Sequence, residues 1–144
     1  MNLRALLVYS LCCCACLASR SAEPEVREAL QRYAHSLQAM DARAIASTYT
    51  ADGEGLTPGV PTLRGPAAIE AHLATFSAYH VLEATMVPDS TSVAGQSARQ
   101  QGSWSQRVML PSGETVHVHG RFTADWLQVD GAWKLKRLET IPEP

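Results

Sequence analysis

No cysteine follows residue 16 in this chain of 144 residues. The four that exist, Cys12, Cys13, Cys14 and Cys16, crowd into the N-terminal segment. A domain built from the remainder therefore has neither a disulfide nor a thiol nucleophile. Charge is also sparse: 18% of residues are charged, the formal net charge is −2, and Lys and Arg do not cluster. That balance removes the electrostatic footing a nucleic-acid partner needs. The one basic run, Lys134-Leu135-Lys136-Arg137, is broken by a core-type residue and reads as the solvated face of a strand. Internal repeats, long linkers, a Ser-His-Asp constellation and a glycine-rich phosphate loop are all missing. The length supports a single domain with one core, and 46% hydrophobic content is a globular value.

The cysteines sit in a segment with a function of its own. Arg4 supplies a positive start and Ala5 to Ala18 an apolar stretch of signal-peptide length, too short for a convincing membrane span. Residues 1–22 read as an export signal cut somewhere within 16–22, leaving a domain over 23–144 that works in the periplasm or outside the cell. Two processing routes stay open. Ala18, with small Cys16 two residues earlier, fits a peptidase site. Cys16 after Ala15 resembles a lipoprotein box and would tether the domain to a membrane, although Cys13 stands where an aliphatic residue is expected.

Beyond the signal, Ser21-Ala22-Glu23-Pro24 is a helix start. Val26, Leu30, Tyr33, Leu37 and Met40 then recur at helical spacing. Asp41 suits the N-cap of a shorter second helix ending near Tyr49. Ala51-Asp52-Gly53 breaks that helix, and an extended segment begins at Glu54 to Thr57. A third helix starts at Gly65-Pro66 and turns Ile69, Leu73 and Phe76 inward. After Tyr79 the pattern changes to strands over Val81–Val87, Ser92–Ala94, Arg99–Leu110, Thr115–Val129 and Trp133–Ile141. Turn chemistry separates them, and Asp130-Gly131 is a strong two-residue hairpin signal. Helices first and an antiparallel meander afterwards define an α+β fold: one cone-shaped domain, three N-terminal helices packed on a strongly curved antiparallel sheet.

These residues resemble the nuclear-transport-factor-2-like superfamily in its SnoaL-like branch. The resemblance covers roughly Val26 to Ile141. It is carried by Tyr33, Asp41-Ala42, Tyr49-Thr50-Ala51-Asp52, Leu63-Arg64-Gly65 leading into Ile69, and the Asp130-Gly131-x-Trp133 hairpin. It implies a pocket inside the cone and, in relatives, pairing of two copies through the outer sheet face; here that face would carry His117, His119 and Arg121. Ketosteroid isomerase, a distant relative, uses an Asp base with an oxyanion hole of a Tyr and a protonated Asp. The resemblance places Tyr33 at the Tyr and Asp125 at the protonated Asp. The base position falls on Thr57, which cannot act as a carboxylate base, and Glu54, three residues away on a strand, would point the other way.

The pocket is expected to involve Tyr33, Tyr49, Leu56, Ile69, His72, Leu73, Trp104 and Asp125. Trp104 would form a flat wall beside an open spot at Gly102. Strand alternation sets Val116, Val118, Phe122, Ala124 and Trp126 on one face and His117, His119, Arg121, Thr123 and Asp125 on the other. Leu127 and Val129 continue the Asp125 phase, so a bulge near Asp125-Trp126 is the way to bring Asp125 inward. His117 and His119 form an H-x-H pair compatible with a metal, but no third ligand is evident, so neither metal nor cofactor is expected. Three functions follow. The domain binds a small apolar or amphipathic molecule without chemistry; or it is an isomerase, cyclase or dehydratase using Asp125 and Tyr33 as proton-handling groups; or it is a dimeric interaction domain with a vestigial pocket.

Overall fold

The computed structural model describes residues 22–144. The export signal and the cysteines at 12, 13, 14 and 16 lie outside the described residues. The apolar spacing from Val26 produces helix α1, Glu23–Gln38, with Val26, Ala29, Leu30, Tyr33 and Ala34 buried along one face. It stops two residues before Met40, which adopts a left-handed φ of 49°. Around that turn Met40 N–H bonds the Leu37 carbonyl and Asp41 N–H the Ser36 carbonyl, the paired closure of a Schellman C-cap. Asp41 then caps α2, Ala42–Ser47, accepting from Ala44 N–H at 2.9 Å.

The chain turns directly into β1, Tyr49–Leu56, so the second helix ends earlier than the sequence pattern implies. Ala51-Asp52-Gly53 lies inside this strand as an irregularity in register rather than as a helix stop. After the two-residue β2, Leu63–Arg64, comes α3, Gly65–Ala74. Ile69 is buried on it, whereas Phe76 lies past its end and is 37% exposed, outside the core.

Four long strands follow: β3 His80–Ala94, β4 Ser97–Met109, β5 Thr115–Val129 and β6 Ala132–Pro142. Pro88-Asp89 does not separate two strands; it is a bulge inside β3, where the register shifts between Pro88 and Ser90. A Pro without an N–H is tolerated at such a position, and the bulge adds bend to the sheet. Asp130 and Gly131 both take positive φ, 50° and 79°, as a type I′ hairpin turn requires. The sheet order is β2-β1-β6-β5-β4-β3. It is mixed, because β1 runs parallel to β6 while every other pair is antiparallel. The three helices pack on one face of this curved sheet, and the core forms between that face and α1.

Its largest fully buried side chain is Trp126. Trp126 Nε1–H donates to Gln100 Oε1 at 3.0 Å, and Gln100 Nε2–H donates to Thr91 Oγ1 at 3.2 Å. A wholly buried amide is stable here because its donors and acceptor find partners on neighbouring groups.

Candidate functional site

Where α1, the α2–β1 junction and α3 lean over the sheet, the packing leaves a cavity of about 230 Å³. That is somewhat below the roughly 300 Å³ at which drug-sized ligand pockets begin. Each wall follows from a local feature. Tyr33 is carried in on the apolar stripe of α1, Ile45 on α2, and Ile69, His72 and Leu73 on α3. Tyr49 opens β1, Leu56 closes it, and Thr57 follows directly. Met86, Trp104 and Leu138 form the floor from β3, β4 and β6. Tyr33, Tyr49, Leu56, Ile69, His72, Leu73 and Trp104 are therefore brought together around one space. Leu37, Ile45, Val60, Leu63, Gln106 and Thr140 also line it; the sequence reading had not assigned them to the site.

The polar centre of the cavity is a pair of tyrosines. The hydroxyls of Tyr33 and Tyr49 are 3.3 Å apart, and their rings meet edge to face with centroids 6.2 Å apart. The two residues are 5% and 6% exposed. Burial pushes the Tyr33 hydroxyl up to about 12, with the hydrogen bond from Tyr49 pulling against that rise. The Tyr49 hydroxyl is raised well above its ordinary value too, first by burial and then by the neighbouring Tyr33. Both stay neutral throughout the physiological range. One hydroxyl donates to the other, so the pair keeps one proton to offer a third atom. A second polar contact, Thr57 Oγ1 to Thr140 Oγ1 at 2.8 Å, lies at the far end of β1.

Thus Thr57 does line the cavity, at the place where the resemblance asks for a base. Among the described residues no Asp, Glu, Lys or Arg lines it. Glu54 faces away and pairs with Arg64. His72 is the remaining ionisable side chain, and its ring meets Phe76 edge to face at 5.3 Å.

Asp125 is not in the cavity. It lies on the opposite face of the sheet, where Arg99 grips it through two bonds, Nε–H to Oδ1 at 2.6 Å and Nη2–H to Oδ2 at 3.0 Å. The two residues are direct partners across β4 and β5. A register shift does exist between Asp125 and Trp126, but the extra residue is Lys136 on β6: Asp125 faces Arg137 and Trp126 faces Leu135. β5 itself keeps strict alternation, with Phe122, Ala124 and Trp126 buried and Asp125 turned out. The expected bulge is on the neighbouring strand, so it cannot aim Asp125 inward. Nor is there open space at Gly102: a Cβ built there would lie 2.0 Å from the Val87 carbonyl oxygen.

The comparisons with known proteins agree with this architecture. A ketosteroid isomerase-like protein from Erwinia carotovora atroseptica superposes with a TM-score of 0.77 at 16% identity, covering 87% of this chain and 99% of that one. An NTF2-like protein with a cystatin-like fold from Novosphingobium aromaticivorans gives 0.71 at 23% identity, covering 82% and 79%. A protein from Catenulispora acidiphila, in complex with S-DNPA, gives 0.71 at 17%, covering 83% and 91%. At these identities the likeness is one of fold. No curated protein sequence matches the chain. The SnoaL-like domain model, however, matches residues 18–139, and with the cone and its cavity in place the chain belongs to the SnoaL-like domain family of the NTF2-like superfamily.

Proposed function

We propose that this domain binds a small, uncharged, largely apolar molecule carrying one hydrogen-bonding oxygen, and performs no acid–base chemistry on it. The observation that carries this reading is the neutral Tyr33–Tyr49 pair in a cavity whose other polar groups, Thr57, His72, Thr85, Gln106 and Thr140, include no carboxylate or amine. A charged ligand would lose its hydration without gaining a counter-ion. A carbonyl, ether or hydroxyl oxygen would accept the free tyrosine proton while its hydrocarbon part lies against Ile69, Leu73, Met86 and Trp104. Proton abstraction from carbon needs a positioned base: Thr57 has the wrong chemistry, Glu54 and Asp125 are paired with Arg64 and Arg99 away from the cavity, and His72, the imidazole on its wall, is packed edge to face against Phe76.

The test is a thermal-shift and calorimetric panel of one- and two-ring ketones, phenols and lactones. Neutral compounds with a single acceptor oxygen should stabilise the protein, and their carboxylate analogues should not. Tyr33→Phe should weaken the best binder by about 2- to 10-fold, the scale of one neutral hydrogen bond of roughly 0.5–1.5 kcal/mol. Binding of carboxylates in preference to neutral analogues, or product formation that Tyr33→Phe abolishes, would overturn the reading.

A further inference from the structure

The cavity makes no use of the histidines on the far side of the sheet. His117 and His119 project from the same face of β5, two residues apart, with ring centroids separated by 5.6 Å and planes tilted by 40°. The sequence alone offers them no third partner, but the fold does. Just past β6, the Glu143 N–H donates to the His119 carbonyl at 3.0 Å. That bond anchors the end of the chain beside β5 and sets Glu143 Oε2 3.9 Å from His119 Nδ1. Arg121, on the same face of β5, is taken up by Asp89. Arg107 stands opposite His117 in the sheet, and Glu83 borders the same shallow hollow.

Two imidazoles and a carboxylate are the donor set that borderline divalent transition ions prefer. Such an ion binds His nitrogen at about 2.0–2.1 Å and carboxylate oxygen at about 2.0–2.2 Å. Donor atoms 3.9 Å apart can therefore be spanned by one ion, closing slightly as the coordination bends toward tetrahedral. As the side chains stand, no three donors among the described residues converge on one point; His117 joins by rotation about its own side-chain bonds. It is exposed, in a shallow hollow that it shares with Glu83, Ser105 and Arg107. We propose that His117, His119 and Glu143 form a surface site for a divalent transition ion of the Zn²⁺, Ni²⁺ or Cu²⁺ class, with the remaining coordination position open to water or to another molecule.

The experiment is a titration of the full chain with zinc chloride, followed by calorimetry and by the side-chain ¹H–¹⁵N spectrum of the imidazoles. The expected result is saturable binding that shifts the His117 and His119 ring nitrogens and leaves His35, on α1, unmoved. His117→Ala and His119→Ala should each weaken that binding by at least about 10-fold, the lower bound seen when even an outer partner of a metal ligand is removed. Glu143→Gln should cause a smaller loss, and His35→Ala none. The cysteines at 12, 13, 14 and 16 can also hold zinc, and whatever they bind persists in the double His117→Ala, His119→Ala variant. In the single chain His117 and Glu143 are exposed and His119 is partly exposed, so the variants should keep the wild-type melting temperature. A double variant that binds zinc as the wild type does, or ring signals that stay fixed at saturation, would refute the site.

Discussion

A single carboxylate shows how far residue type and position can mislead. Asp125 has the chemistry of a pocket acid, and its distance in sequence from the Asp130-Gly131 hairpin is the one the family resemblance asks for. Its environment is nevertheless a two-bond clasp with Arg99 on the solvent side of the sheet. The Arg99 guanidinium is held above its usual value by that carboxylate, through the hydrogen bonds first and the charge second. Asp125→Asn should therefore leave cavity-ligand affinity unchanged in calorimetry. Any effect on the melting temperature should be small and fade with added salt, as for other exposed ion pairs. A collapse of ligand binding in this variant would mean that Asp125 communicates with the cavity after all. The alternation of β5 was legible, since Phe122, Ala124 and Trp126 share one phase. The placement of the bulge was not, because a two-versus-one mismatch across strands belongs to the pair and leaves its mark in either sequence. Leu135 and Leu138, three apart and both buried, are the trace it leaves on β6.

At the scale of elements, periodicity, capping and turn residues located the three described helices and the strands β4, β5 and β6, and the errors gathered at ends and bends. Met40 fits the apolar stripe of α1 by spacing, yet it is the left-handed residue of the C-cap. Non-glycine residues pay roughly 1–2 kcal/mol for that conformation. Met40→Gly should thus raise stability by up to about 1 kcal/mol after the loss of its partly buried side chain, visible as a higher midpoint in urea with an unchanged slope. The Pro88 bulge tells the opposite story. It lets the Val87 carbonyl press against Gly102, where any Cβ would overlap it at 2.0 Å, and the bend it creates carries Met86 and Trp104 into the cavity floor. Gly102→Ala should cost at least about 1–3 kcal/mol through forced backbone movement. Because the same bend shapes the floor, the variant should also lose ligand affinity, whereas Gly95→Ala, in a hairpin turn far from the cavity with φ +59° and nothing near its Cβ position, should cost some stability through the backbone but leave affinity alone. From sequence, Pro88-Asp89 looks like a break between two strands; only pairing with β4 shows that the strand continues through it.

For the molecule as a whole, the buried tyrosine pair couples the cavity to global stability, and the coupling has a definite sign. In the unfolded chain the Tyr33 hydroxyl titrates near its ordinary value of 10.0, whereas in the fold it is pushed to about 12. Above pH 10 the unfolded state sheds a proton that the folded state still holds, so the unfolded state gains and stability falls with rising pH. The contribution of burying a neutral Tyr33 is complete below pH 10 and is lost progressively until the folded hydroxyl itself ionises near pH 12. A difference of that size corresponds to something on the order of 3 kcal/mol, and Tyr49, shifted in the same direction, adds to the slope. Urea unfolding midpoints measured at intervals from pH 8 upward should be flat at first and then decline steeply above pH 10. Tyr33→Phe should flatten the decline, because a phenylalanine has no proton to lose, even though the variant starts from lower stability with Tyr49 left without its partner. A ligand seated on the pair should steepen nothing below pH 10 but hold the midpoint up beyond it, since it binds the neutral hydroxyls and so opposes their ionisation. Parallel curves for wild type and Tyr33→Phe would mean that the two hydroxyls are hydrated in solution, and that the dry, neutral centre on which ligand recognition depends does not exist.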